Sequence, residues 1–353
     1  MARRSASRRL FWVSTACVIA LVVGETASAG DAEDLRRAIL QDDLPALSRL
    51  VESRTPLNTF TRDDESALMI AARRGSEQMV DLLLKHGADP KATNRFRKTP
   101  LMSACESHNT GVVVSLLRAG ADPNSKGANG ETAYLYAARY SSPDVLVALE
   151  KAGADINATD ALNRGPLRWA AFQSNERVVR YLLGKDVNVN QAGIDGVSPL
   201  LAAKTDPVRR LLVEAGADVR AVDGEGNTVL TNGLTTGLSV DLAKFLLKKG
   251  ANVNARKGAD SGQTPLMYAS WYGGGNGDMV RLLLANGANV NHVDRYGRTA
   301  LMQVSSKEIA SILIDAGADL KHRNYEGRTA LEEAIWRHNR GVVELLRQSG
   351  VPE

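Results

Sequence analysis

The chain has 353 residues, with 44 Lys and Arg against 40 Asp and Glu and aromatic residues at only 5%. Its formal charge of +4 sits at the start, because residues 1–29 hold Arg3, Arg4, Arg8 and Arg9 against a single acid, Glu25. The remainder carries 40 basic and 39 acidic side chains, so bulk charge excludes an electrostatic case for nucleic acid or an acidic membrane surface as the partner.

Residues 1–29 read as an export signal. Four arginines precede an apolar run from Leu10 to Val23, and Ala27-Ser28-Ala29 is a small-residue cleavage site with the cut before Gly30. The run is about 14 residues, short of the roughly 20 that a membrane span needs; an uncleaved N-terminal anchor is the alternative, and no stable span remains after cleavage. Ser7-Arg8-Arg9-Leu10-Phe11 resembles the twin-arginine pattern, so the twin-arginine and general secretory routes both stay open. Either one places the protein outside the cytoplasm, with a bacterial periplasm as the expected destination and the extracellular medium as the second. Removal of the signal takes Cys17 with it and leaves Cys105 as the one thiol, which forbids an intramolecular disulfide and marks Cys105 as structural.

From Asp31 onward the chain repeats itself. The stretch Thr99 to Pro123 shows the unit: Thr99 is an N-cap, Pro100 opens a helix, Leu101, Ala104 and Cys105 share one face, and His108 to Gly111 break it. Val112, Val113, Leu116 and Leu117 then form the apolar stripe of a second short helix, which Gly120 ends. Such a hairpin cannot bury both faces alone and requires copies on either side. The cap position recurs at Ser66, Thr99, Thr132, Gly165, Ser198, Thr228, Thr264, Thr299 and Thr329. The terminating glycine recurs at Gly87, Gly120, Gly153, Gly216, Gly250, Gly287, Gly317 and Gly350, with Asp186 in its place once.

This pattern resembles the ankyrin repeat family. The matching runs are TPLMSAC (Thr99 to Cys105), GPLRWAA (Gly165 to Ala171), SPLLAA (Ser198 to Ala203), TPLMYAS (Thr264 to Ser270) and TALMQVS (Thr299 to Ser305), with loops such as GADPN (Gly120 to Asn124) and GANVN (Gly250 to Asn254). The resemblance implies an all-α solenoid of about ten helix-turn-helix units joined by β-hairpin-like loops. A signal peptide over 1–29 is followed by one repeat domain over 30–353, with units starting near 31, 62, 95, 128, 161, 194, 224, 260, 295 and 325. One departure is consistent: the family's His after Leu is absent, replaced by Met69, Met102, Leu135, Arg168, Leu201, Thr231, Met267, Met302 and Glu332.

The repeats are uneven. The units at Ser198 and Thr299 are three residues short near Thr205-Asp206 and Ser305-Ser306. The unit at Thr228 has a weak first helix with two glycines and four threonines, several kcal/mol less stable than its neighbours at about 1 kcal/mol per interior glycine. The unit at Thr264 carries a glycine-rich run, Gly273 to Gly277, read as an enlarged loop rather than a phosphate site.

No catalytic residue, cofactor or metal site is expected. The chain has no Walker, nucleophile-elbow, zincin or C-x-x-C pattern, and His86, His108, His292, His322 and His338 lie in separate units, read as solvent-exposed loop residues. The resemblance places a protein partner on the concave face, made of hairpin tips and first-helix ends. The candidate residues there are Arg73, Arg74, Arg95, Phe96, Arg139, Tyr140, Phe172, Trp271, Tyr272, Tyr296, Tyr325 and Trp336, the Trp, Tyr and Arg chemistry of binding hot spots. Trp169 is expected in the core. The expected function is a monomeric, non-enzymatic module that binds or stabilises an exported protein; the alternative is a secreted effector acting on a host or competitor cell, and an enzyme on this scaffold ranks last.

Overall fold

The computed structural model describes residues 29–272 and 277–350, without the side chains at 29, 259, 260 and 272. The expected signal segment and Gly273 to Asn276 lie outside the described residues, and the expected cleavage point between Ala29 and Gly30 falls at the start of the first described helix. Ten helix pairs stack in chain order: Ala29–Leu40 with Leu44–Glu52, Ala67–Arg74 with Glu77–Lys85, Pro100–Ala104 with Thr110–Arg118, Ala133–Tyr140 with Pro143–Lys151, and Pro166–Phe172 with Glu176–Leu183. The series continues with Pro199–Ala202 and Asp206–Glu214, Val229–Thr235 and Val240–Lys248, Pro265–Tyr272 and Gly277–Ala285, Leu301–Gln303 and Lys307–Asp315, and Ala330–Trp336 and Arg340–Gln348. They are called repeats one to ten below. Among the described residues there is no strand, only isolated bridges at Phe60–Ser66 and Lys257–Gln263.

Local chemistry sets each pair. The hydroxyls of Ser66, Thr99, Thr132, Ser198, Thr228, Thr264 and Thr329 accept from the backbone N–H three residues on, satisfying a helix-start donor. Thr299 departs from the expectation. The first element of repeat nine is a single 3₁₀ turn, closed by Gln303 N–H on Ala300 O at 3.1 Å, and Thr299 Oγ1 is left buried without a partner. The glycines that end the second helices have φ between 77° and 94° from Gly350 to Gly250, the left-handed region that a side chain disfavours.

The three-residue deletions shorten the first helices of repeats six and nine to Pro199–Ala202 and Leu301–Gln303. Thr205 and Ser306, at the deletions, therefore cap the second helices, with Asp206 and Lys307 as their first residues. The face expectation is corrected there: two repeats present no first-helix end.

Small residues five positions after the cap, Ala71, Ala104, Ala137 and Ala170, are fully buried and let successive first helices approach closely. The core is one continuous apolar cluster running from Leu35 to Leu346. The replacements of the family's His have structural roles, Leu135 and Leu201 as buried core residues. Met69, Met102, Met267 and Met302 are buried fillers. Thr231 and Glu332 close reciprocal capping boxes with Thr228 and Thr329. Arg168 reaches the next tip, where its two terminal nitrogens donate to the Asp195 carboxylate at 2.9 and 2.6 Å.

Two hydrogen-bond ladders tie repeat to repeat. At the tips, backbone N–H groups of Ala128, Ala161, Ile194 and Tyr325 donate to the carbonyls of Phe96, Asn129, Leu162 and Tyr296 at 2.7–3.0 Å. On the opposite loops, an Asn bridges to the following repeat: Asn124 Nδ2 donates to Gly153 O at 2.9 Å while its Oδ1 accepts from Asp155 N–H at 2.9 Å. Asn58, Asn190, Asn254 and Asn291 repeat this clamp. Arg220 stands in for Asn and donates to Gly250 O at 3.1 Å. The clamp fails at Asn157, whose side chain has no partner: Asp186 stands where the left-handed glycine would and does not take a positive φ. A different staple holds that junction. Glu150 of repeat four accepts from Tyr134 Oη at 2.9 Å and from Tyr181 Oη and Lys185 Nζ of repeat five at 2.8 Å each. Burial pushes the Glu150 carboxyl up, but the three donors outweigh it and hold the pKa below the ordinary value.

Candidate binding face

The residues of the tip face follow from register. Positions one before the cap and four, seven and eight after it lie along one edge of each first helix, since residues three or four apart are neighbours on a helix. In repeats two and three the position before the cap and the position seven after it carry opposite charges and pair: Glu65 with Arg73 at 2.7 Å, and Lys98 with Glu106 at 2.8 Å. The hydrogen bond to Glu65 raises the Arg73 pKa further.

Repeat four has the signs of repeat two at the same positions, Glu131 and Arg139, yet they do not pair. The Arg139 guanidinium lies 4.4 Å from the Trp169 ring centroid and 4.7 Å from that of Tyr140. Arg164 covers Trp169 at 4.2 Å while its Nε donates to Asp160 at 2.6 Å. Trp169 meets Phe172 edge-on at 6.4 Å, Lys204 sits 3.7 Å over Phe172, and Tyr136 approaches Tyr140 at 6.2 Å with Lys98 over its ring at 5.5 Å. Rings and cations thus form one continuous chain of contacts from Lys98 in repeat three to Lys204 in repeat six. Cation–π contacts of this kind contribute about 0.5–2 kcal/mol each. Burial, with the Glu131 and Glu106 carboxylates adding to it, pushes the Tyr136 phenol up to about 12.

Of the expected residues, the structure joins Arg139, Tyr140 and Phe172 through Trp169. Arg73 and Arg74 are both exposed on repeat two, two repeats before Arg139. Arg95 stacks at 4.8 Å on its neighbour Phe96, which is 58% exposed at its tip. At the far end Tyr296 lies under Arg295 and Arg298 at 4.6 Å each, Tyr325 is 76% exposed, and Trp336 is 64% exposed with Arg328 at 5.3 Å. Trp271 is exposed on repeat eight, and the Tyr272 side chain lies outside the described residues.

Trp169 is buried at 8% exposure, as expected, but guanidinium groups rather than the apolar core cover its faces. Sequence reasoning missed both it and Tyr136 as face residues. The signal was available, since Tyr136 and Tyr140 are four apart and Trp169 and Phe172 three apart on their helices. His292 and His322, expected as exposed loop residues, are half-buried links in the tip ladder: their Nε2 atoms lie 3.0 and 2.8 Å from the carbonyls of Gly262 and Gly297. Cys105 is fully buried, which pushes its pKa up and keeps it a thiol. Among the described residues no group of three His, Cys, Asp or Glu could hold a metal ion, and no helix is long and apolar enough to cross a membrane.

The family model for ankyrin repeats in three copies matches residues 35–127, 107–193, 200–294 and 274–352, which together cover most of the chain. The chain belongs to the ankyrin repeat family. Ankyrin arrays act in general as protein-interaction modules. Similar stretches occur in a glycerophosphocholine phosphodiesterase, gde1, of Schizosaccharomyces pombe, 40% identical over 92 residues. They also occur in the E3 ubiquitin-protein ligase KEG of Arabidopsis thaliana, 34% identical over 124 residues, and in the palmitoyltransferase AKR1 of Lachancea kluyveri, 32% identical over 154 residues. The matches cover 26%, 34% and 42% of this chain but only 8%, 7% and 20% of those proteins, so the likeness is between ankyrin segments.

Proposed function

We propose that this protein is a non-enzymatic binding module that works outside the cytoplasm, in a periplasm, and holds or stabilises another exported protein against its tip face. The single observation that carries the reading is the ring-and-cation ladder from Lys98 to Lys204. It spans four repeats, concentrates Trp, Tyr and Arg in one place, and is prestacked, so that little side-chain freedom is lost when a partner lands on it. The apolar run and A-x-A site of residues 1–29 support export, and the near-neutral charge of the remainder favours a protein over nucleic acid.

The test is affinity capture from the native envelope fraction with wild type and with a Tyr140→Ala/Phe172→Ala double variant. A discrete partner recovered by wild type and lost with the folded double variant supports the reading. Equal recovery would move the binding face elsewhere. Cell fractionation with N-terminal sequencing tests export: a mature chain starting at Gly30 in the periplasm supports it, and a full-length cytoplasmic chain overturns it.

A further inference from the structure

Resting on the tip-face reading, one cavity defines what a partner must insert. Its volume is about 120 Å³, room for one side-chain end, and it is lined by Glu106, Glu131, Leu135, Tyr136, Arg139, Tyr140 and Trp169. Two N–H donors on this lining are buried without an acceptor: Arg139 Nε and Trp169 Nε1. Arg139 makes no ion pair or hydrogen bond among the described residues, its contacts being the two ring faces. Across the lining, Glu131 accepts one hydrogen bond at Oε1, from Asn129 Nδ2 at 3.2 Å, and Oε2 has no donor. Glu106 is already neutralised by Lys98 at 2.8 Å.

Bordering the cavity are two covered orphan donors, one open carboxylate acceptor, and charges that cancel. A carboxylate from a partner would satisfy the donors but face Glu131; an ammonium would satisfy Glu131 but face Arg139. A primary carboxamide fits all three, since its oxygen accepts twice and its nitrogen donates. We propose that this cavity is a specificity pocket for the side-chain carboxamide of a Gln or Asn on the partner, with the oxygen received by Arg139 Nε and Trp169 Nε1 and the NH₂ by Glu131. Arg139 and Trp169 shift to admit it, since both donors are covered in the free protein. The unlatched Glu131–Arg139 pair is then a feature of recognition, because repeats two and three close the same pair.

Random twelve-residue peptides displayed on phage are selected against the full chain, and dissociation constants are measured for synthetic copies. The expected result is a recurrent Gln or Asn, with its replacement by Glu or Asp weakening binding about ten-fold or more. Glu131→Gln shrinks that penalty to within about two-fold, and the Trp169 indole N–H resonance moves with the amide peptide more than with the acid. Peptides that need Tyr140 and Phe172 yet bind equally as amide or acid overturn the carboxamide pocket and leave the tip-face reading standing. Recovery only of peptides indifferent to the Tyr140→Ala/Phe172→Ala variant overturns both.

Discussion

Single side chains decide how firmly one repeat grips the next. Asn124 is the clearest case, because one carboxamide satisfies both a carbonyl and an N–H of repeat four. Asn157 occupies the same motif position and grips nothing: Asp186 stands where the glycine would and lacks the positive φ with which the clamped glycines present their carbonyls. Two identical residues in identical motifs thus carry different energies. Asn124→Ala is expected to destabilise the protein by about 1–2 kcal/mol, the net worth of two hydrogen bonds. Asn157→Ala should fall within about 0.5 kcal/mol of wild type. Urea denaturation of the two variants side by side checks this, and equal losses would show that the clamp is not what stabilises the loops. The Asn of the motif is legible in the sequence; whether it has anything to hold depends on a residue 29 positions later.

The first helix of repeat seven shows the same limit for an element. Its glycines and threonines predict a weak helix. In the structure Thr228 and Thr231 form a capping box, and Thr236 Oγ1 accepts from Arg209 of repeat six at 2.6 Å, so three of the threonines hold the element in place. Gly233 falls at the small-residue position filled by Ala in other repeats, and Leu238 packs directly over it. A Cβ on Gly233 would stand 3.0–3.3 Å from three Leu238 carbons. Gly233→Ala is therefore expected to destabilise by about 1–2 kcal/mol through overpacking, against the roughly 1 kcal/mol gain that helix propensity alone predicts. A thermal melt distinguishes the two by sign, and a raised midpoint would show that Leu238 yields. In a Leu238→Ala background, Gly233→Ala should raise the midpoint above that of Leu238→Ala alone, showing the propensity gain.

Across the whole array each repeat touches only its neighbours, so a defect at one junction stays local. The junction between repeats six and seven is the place to see it. Arg209 is 1% exposed, and burial presses its pKa down. Its Nη1 donates to Asp206 Oδ1 at 3.1 Å, while Asp206 Oδ2 accepts from the Ser239 N–H at 3.0 Å. Asp206→Asn leaves a buried guanidinium without its counter-charge, at an expected cost of about 3 kcal/mol. Hydrogen exchange should then accelerate in residues 199–248 while 67–151 keep their protection. Uniform loss along the chain would show that the array unfolds as one cooperative unit.

By itself the sequence determined the ten-unit periodicity, the capping hydroxyls, the left-handed glycines and the helix faces turned inward. These depend on contacts within one unit and on a spacing of about 33 residues that can be read along the chain. It also named the tip-face aromatics and arginines, because the repeat register carries them to one side. Only the tertiary structure decided which of them meet. Arg139 abandons Glu131 for the rings of Tyr140 and Trp169, although the charge pattern of repeats two and three leads one to expect an ion pair. The reason is the neighbour: Trp169 belongs to the next repeat and supplies a ring face at 4.4 Å that no pattern within repeat four contains.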